Sequence, residues 1–550
     1  METLDGSEAA LTVTPGEPSG SQLPQTPKRS VLAAKLGAVL HLLGITVLWL
    51  VVLSGAILLA LGSWIIQTFG YITPDHVLMN LAGAGGEGGG GAALVWDAAI
   101  HVLVVPVIAV LLLGLSLRAV RRRPGMGARF TWVRPLTATV IVALVLAVPA
   151  TGLWSIASAL QVRGHFAAQD PSLDLADYYV VPQVTQPDGP PTNLVLIYLE
   201  SIENSFSNED VFGTDMLSEL TASTDGWDSV PALKQYDGGG WTMSGIVSTQ
   251  CGVPLRMPPS SGISGTEITD QAIATNYIEV DRYLSGAVCL GDVLKEIGYQ
   301  NVFLGGARTT FASKGQFLES HGYDTVLGLD HWLEQGETEV SEAWGLSDRR
   351  LFENARIELD RLEASGEPFS LTMLTLDTHE PAHFFEYCPS SDLSDMTDVT
   401  RCSMSQVAQF VQYMDQQGYL ENTTVVVMGD HLKFAAAKNS FFAELKAYPD
   451  RTIFNRLHPA DGQAIAEPSI DQLSMLATIL DSMGLELADG RAGLGVSAYV
   501  PGAVPGTMRM LPEEQRDALV RSRSADFYAS LWGEPIQQYD GQPRESSPAQ

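Results

Sequence analysis

Three apolar runs in this sequence end in side chains that can bind a metal or move a proton. NLVLIYL runs into Glu200, SLTMLTL into Asp377-Thr-His379-Glu380, and TVVVMG into Asp430-His431. A Glu, an Asp and a His gathered at one point offer oxygen-rich coordination for a divalent cation. Any one alone is bland, since a strand-terminal Asp commonly caps a helix or forms a turn. The fourth feature is Gly238-Gly-Gly-Trp-Thr-Met-Ser-Gly-Ile-Val-Ser-Thr-Gln-Cys-Gly-Val-Pro254, which carries Thr242, Ser244, Ser248, Thr249 and Cys251 as candidate nucleophiles. Its glycines permit close backbone approach, here read as clearance for a phosphate, and Thr242 stands where a helix can begin. A helix N-terminus favours an anionic phosphate, and a hydroxyl there can be activated by a metal as a nucleophile. Helix capping selects threonine at the same kind of position, so spacing alone does not separate the two roles.

The elements that must position these groups are legible as short buried strands alternating with amphipathic helices. TNLVLIYLE, YQNVFLGG, FSLTMLTLD and NTTVVVMGD read as fully buried parallel strands bounded by turn residues. CLGDVLKEIG, SDRRLFENARIELDRLEAS and SQVAQFVQYMDQQG read as helices between them, and 468–487 as a last helix followed by a strand. Alternation of this kind predicts an α/β fold with a mostly parallel sheet flanked by helices, in which ligands sit beyond the carboxyl ends of the strands.

Upstream the character changes. No Lys or Arg occurs from Leu36 to Leu117 or from Pro135 to Leu160. Within those windows three membrane spans are expected, at about 39–65, 96–117 and 135–159, each near the ~20 apolar residues needed to cross the hydrocarbon. Lys28, Arg29 and Lys35 precede the first; Arg118, Arg121, Arg122, Arg123, Arg129 and Arg134 separate the second from the third. The positive-inside rule puts these segments, and the N-terminus, in the cytoplasm, so everything after about residue 160 faces out. The expected organisation is a disordered cytoplasmic tail (1–34), a membrane region (35–160), a linker (161–191), an extracytoplasmic catalytic domain (192–500) and a C-terminal extension (501–550) whose end is disordered.

After residue 160 the chain holds 56 Asp and Glu against 23 Lys and Arg, which excludes nucleic acid as an expected partner. All four cysteines lie there, in an oxidising compartment, and two disulfides are expected. Four cysteines allow three pairings; proximity favours Cys388 with Cys402, leaving Cys251 with Cys289.

Glu200 in NLVLIYLESIENSF, Thr242 in WTMSGIVSTQCGVP, the block CLGDVLKEIGYQNVFLGGA and Asp430-His431 in VVVMGDHL together resemble the phosphoglycerol transferase and lipoteichoic acid synthase family of the alkaline phosphatase and sulfatase superfamily. The resemblance is strongest to the phosphoglycerol transferases of periplasmic glucans and covers roughly 192–500. It implies one divalent metal, Mn2+ with Mg2+ or Zn2+ as alternatives, held by Glu200, Thr242, Asp430 and His431. It also implies that Thr242 is the nucleophile and that His379 contacts substrate. Where lipoteichoic acid synthases carry an Arg for glycerol phosphate, this chain has Phe311-Ala-Ser-Lys314, so Lys314 would supply the charge without the guanidinium fork. Trp344 lies in a further family block and has no assigned role beyond a pocket wall.

The implied function is transfer of glycerol phosphate from phosphatidylglycerol, in the outer leaflet of the bacterial cell membrane, to a glycan, glycolipid or polymer acceptor through a glycerophospho-threonine. Rival readings are a polymerising lipoteichoic acid synthase, a phosphoethanolamine transferase with a fuller zinc ligand set, a sulfatase and a glycan-binding pseudoenzyme. Cys251-Gly-Val-Pro254-Leu-Arg256 misses the sulfatase nucleophile motif because its proline falls one place late. The remaining histidines read as interface, surface or satisfied core groups, with His383 a minor candidate for the pocket.

Overall fold

A computed structural model describes residues 28–74, 91–122, 133–162, 174–186, 191–256, 283–448, 450–459, 462–522 and 524–533. The expected disordered ends, much of the Gly-rich segment after the first span, and Arg123 and Arg129 lie outside the described residues, as do His76 and His165.

Helix α1 (Lys28–Phe69) is followed by α2 (Gly91–Ala98), a π-helical stretch (Ala99–Val104), α3 (Val105–Arg122) and α4 (Val133–Ala159). Three stretches, Lys35–Phe69, Val95–Val120 and Ala138–Ala159, are long and apolar enough to cross a membrane. Their leucines face outward rather than into a core, Leu42 being 67% exposed and Leu146 68%. Small residues let α1 and α4 touch: a Cβ on Gly55 would fall 2.6 Å from the Pro149 backbone, and one on Gly62 2.6 Å from the Ser155 carbonyl carbon.

The α/β domain that follows the apolar helices is organised by six strands: β1 (Asn193–Leu199), β2 (Gln300–Gly305), β3 (Thr325–Leu327), β4 (Phe369–Leu374), β5 (Thr423–Gly429) and β6 (Asn455–His458). Their order is β3-β2-β4-β1-β5-β6. β1 is central and runs parallel to both β4 and β5. The four apolar runs are β1, β2, β4 and β5, as the sequence predicts. β6 pairs antiparallel with β5, so the sheet is mixed while the other five strands run parallel, as a mostly parallel sheet requires. The β6 sequence, NRLH, alternates between buried and half-buried residues, the pattern of an edge strand rather than of one covered on both faces.

Alternation along β1 divides the core in two. Leu194, Leu196 and Tyr198 pack with α5 (Thr242–Cys251), α6 (Leu290–Glu296) and, later in the chain, Leu476 and Ile479. Val195, Ile197 and Leu199 pack on the opposite face against two long helices. α7 (Lys314–Ser320) precedes these; they are α8 (Asp348–Ser365) and α9 (Asp395–Gln417). Each long helix is capped by a serine that accepts a hydrogen bond from a first-turn N–H, Ser347 from Arg350 and Ser394 from Thr397. Each ends on a left-handed glycine, Gly366 and Gly418.

Two stretches expected to lie outside the domain are built into it. Val184–Thr185, in the expected linker, pairs antiparallel with Glu486–Leu487. Residues beyond 500 join α10 (Met475–Ser482) in the first core: Leu519 and Val520 of α11 (Glu513–Arg521), and Phe527 and Leu531 of α12 (Ala525–Trp532). Disulfides join Cys251, at the end of α5, to Cys289, the residue before α6, and Cys388 to Cys402 of α9.

The α/β domain also touches the apolar helices. The Lys438 N–H donates to Gln67 O (2.9 Å), and the Lys438 ammonium pairs with Asp97 at the start of the second span (2.5 Å). Trp64 Nε1–H donates to the same carboxylate (2.7 Å).

Candidate active site

Because β4, β1 and β5 are neighbours, their carboxyl ends lie side by side, and so do the residues that follow them. Glu200, Asp430 and His431 each offer a ligand atom, all within 4.8 Å of one another, and all three residues are buried. Ser201 clamps the two carboxylates: its N–H donates to Asp430 Oδ1 (2.8 Å) and its hydroxyl to Glu200 Oε1 (2.6 Å). The His431 N–H also donates to Asp430 Oδ1 (2.8 Å), while Asp430 Oδ2 has no hydrogen-bond partner. His431 Nδ1 faces Leu432 O (2.8 Å), which turns Nε2 toward Glu200 Oε1 (3.7 Å) and Asp430 Oδ2 (3.6 Å). Those separations are too long for hydrogen bonds. Buried acceptors that face one another without a donor between them fit a cation.

The electrostatics agree. Burial works against the Glu200 carboxylate, but His379, His431, Lys433 and the Ser201 hydroxyl hold it down to about 2. Burial and the neighbouring Glu200 charge push Asp430 up to about 7. Two carboxylates driven apart in this way form a site that gains from added positive charge.

Thr242 is the first residue of α5, and its hydroxyl donates to Glu200 Oε2 (3.2 Å) rather than capping the helix. The position of α5 is set by Gly245, where a Cβ would lie 2.1 Å from Asp430 O. Gln472 fixes the same carbonyl, donating from Nε2 (2.8 Å). The other four candidate nucleophiles are occupied elsewhere. Ser244 donates to Gly238 O (2.9 Å), Ser248 and Thr249 to Gly245 O (2.9 and 2.8 Å), and Cys251 is in its disulfide. The glycine run also has a packing reason: a Cβ on Gly239 would meet Gln472 Oε1 at 2.3 Å, and one on Gly240 would meet Gln235 Nε2 at 2.8 Å.

His379 donates from Nδ1 to Glu380 O (2.8 Å), leaving Nε2 for other contacts, and its ring lies against Trp344 with centroids 3.7 Å apart. Burial lowers its pKa against the pull of Glu200. Lys314 is only 4% exposed; burial brings its ammonium down to about 8, opposed by Glu200 and Asp430. Asp377 does not join this group and turns instead to Asp348 and Tyr387. His383 is exposed and rests against Phe385. A second gathering of ligand types, Cys289, Asp292 and His321, is satisfied internally, with Cys289 in a disulfide and His321 bonded to Asp292 and Tyr283 O.

Sequence reasoning passes over Lys433 and the Ser201 clamp. Lys433 is buried, donates to Thr378 O (2.8 Å) and lies 3.3 Å from Glu380 Oε1. Its place two residues after His431 is the one signal the sequence offers.

An α/β domain with an alcohol at a helix start facing two carboxylates and a histidine at strand ends defines a class, and the comparisons name it. The chain belongs to the sulfatase family, whose model, described as Sulfatase, matches residues 192–484. It is 35% identical over 263 residues to phosphoglycerol transferase I of Xanthomonas axonopodis pv. citri (strain 306), covering 46% of this chain and 35% of the relative. To the protein of the same name from Citrobacter koseri it is 32% identical over 352 residues, covering 60% of this chain and 42% of the relative. The chain thus spans less than half the length of these relatives. Among solved structures, the lipoteichoic acid synthase LtaP from Listeria monocytogenes matches with 15% identity over 66% of this chain and 99% of that one, at a TM-score of 0.48.

Proposed function

We propose that this protein is a membrane-anchored phosphoglycerol transferase that moves glycerol phosphate from phosphatidylglycerol to an extracytoplasmic glycan or glycolipid acceptor. The observation that carries the reading is the Thr242 hydroxyl, 3.2 Å from a carboxylate of the Glu200–Asp430–His431 cluster. The similarity to phosphoglycerol transferases supports the donor. The three apolar helices support residues 35–160 as the anchor, with 192–500 as the outer catalytic domain.

Glu200, Asp430, His431 and the Thr242 oxygen would hold one divalent cation, for which we assign Mn2+. Bound there, it would supply the charge that lowers the alcohol's pKa and offsets negative charge on phosphate. Thr242 Oγ attacks phosphorus in line, an Oγ–P bond forms, and the bond from phosphorus to the diacylglycerol oxygen breaks. The proton lost by Thr242 ends on that leaving oxygen, and His379 Nε2 is the ring nitrogen available to relay it. An acceptor hydroxyl then attacks the glycerophospho-threonine, loses its proton by the same relay and restores the threonine. Lys314 supplies positive charge toward the non-bridging oxygens, and α5 directs its N-terminus at them.

Purified protein incubated with Mn2+ and headgroup-labelled phosphatidylglycerol should become labelled and release diacylglycerol, and Thr242→Ala should do neither. Unchanged diacylglycerol release by Thr242→Ala would overturn the mechanism. Labelling from phosphatidylethanolamine in place of phosphatidylglycerol would move the assignment to phosphoethanolamine transfer.

A further inference from the structure

We infer that the cavity between the membrane helices and the outer domain is a second site for an anionic phospholipid headgroup, separate from the active site. The inference rests on the membrane topology proposed above and not on the transfer chemistry.

The cavity has a volume of about 830 Å³, within the usual range for small-molecule sites. Phe69, Tyr71 and Ile72, at and beyond the end of α1, form its membrane side. Gly238, Gly240, Leu432 and Lys433 form part of the opposite side. None of Glu200, Thr242, His379, Asp430 or His431 lines it. Gln235 closes the wall between the two sites, accepting a hydrogen bond from the Leu432 N–H (2.8 Å).

Its charge runs against that of the chain. In a protein of net charge −31, six cationic side chains line the cavity against four carboxylates. Most of the cations are already matched. Lys234 pairs with Glu513, Arg521 with Asp237 and Asp517, Arg451 with the buried Glu203, and Lys433 with Glu380. Lys446 and Arg516 also line the cavity and are in no ion pair among the described residues; Arg516 acts on the lining carboxylate of Asp471, and Lys446 lies over the Phe442 ring (5.5 Å). Two cations in no ion pair, set against the single unpaired lining carboxylate of Asp471 and beside an apolar wall where the first span leaves the membrane, suit a phosphodiester that carries acyl chains. A free phosphate would use the cations but gain nothing from Phe69 and Ile72.

The walls of this cavity continue directly into the catalytic segments. Gly240 is two residues before Thr242, and Leu432 follows His431. The Lys438 contacts with Gln67 and Asp97 tie the second of those segments to the membrane helices. A headgroup seated here therefore holds the nucleophile loop and the histidine loop at a fixed height above the bilayer.

The test is hydrogen exchange on the full-length protein in phosphatidylcholine nanodiscs, with and without phosphatidic acid, which has no headgroup to transfer. Phosphatidic acid should slow exchange over residues 442–447 and 513–521. Lys446→Gln and Arg516→Gln should each weaken that lipid dependence about fivefold. Both variants should unfold at the wild-type temperature in neutral discs, since neither side chain is in an ion pair. Inorganic phosphate and glycerol phosphate should give no protection. The site is refuted by protection that is absent, that survives in both variants, or that free phosphate reproduces. Thr242→Ala should keep the protection, so a failure of headgroup transfer and a failure of this site are told apart.

Discussion

Two pairs of buried carboxylates stand at the same edge of the sheet and have opposite surroundings. Asp348 accepts hydrogen bonds from the Leu376 N–H (2.7 Å), the Asp377 N–H (3.3 Å) and the Ser403 hydroxyl (2.6 Å). Asp377 accepts from the Asp348 N–H (3.2 Å) and the Tyr387 hydroxyl (3.1 Å). That pair ties the start of α8 and a serine of α9 to the end of β4, and its donors come from the protein. Glu200 and Asp430 are equally buried, at 2% and 0% exposure, yet Asp430 Oδ2 has no donor and His431 Nε2 faces the same gap. Burial alone does not mark a working site. What distinguishes the second pair is acceptors that the fold leaves unanswered.

Mutation should separate the two pairs. The largest effect is expected from Asp430→Asn: phosphoglycerol transfer falls at least about a thousandfold while the protein stays folded, read by headgroup release and by Mn2+ titration. A variant that keeps wild-type metal affinity would erase the distinction. Next comes Asp348→Ala, which leaves two backbone N–H groups and a hydroxyl without their acceptor. It should lower unfolding free energy by about 3 kcal/mol in denaturant titration, with Mn2+ affinity of the folded fraction unchanged. The smallest effect is a slope. Burial raises both members of the pair, Asp348 to about 6 and Asp377 well above its ordinary value, so the folded pair holds a proton more tightly than the unfolded chain does. The Asp348 contribution to stability is full below the unfolded value of 3.8 and is lost as pH rises through about 6. Stability of wild type relative to Asp348→Asn should therefore decline across that interval, and a flat difference would mean that the proton is not held there.

Much of this was legible in the sequence, for a physical reason. Parallel strands buried on both faces are unbroken apolar runs, so β1, β2, β4 and β5 declare themselves, and the polar residues that follow β1, β4 and β5 are conspicuous. β6 hides because an edge strand needs no such run. Asp377 misleads for a related reason: it ends a buried run as Glu200 does, but its partner Asp348 comes from a helix start that no pattern in its own strand reveals. The Arg451–Glu203 pair, 248 residues apart in the chain, and Lys433 reaching to Thr378, 55 residues away, belong to the same class of facts. Long-range polar contacts of this kind leave no periodicity to read.

The clearance at Gly245 has a consequence for how this protein can change over time. Every other amino acid would bring a Cβ to within 2.1 Å of the Asp430 carbonyl, against backbone that cannot swing aside. At this point the helix that begins at Thr242 and the strand end that carries Asp430 share one fixed spacing. Descendants of this sequence that keep the chemistry inherit that glycine, and a lineage that loses it has to rebuild both elements together.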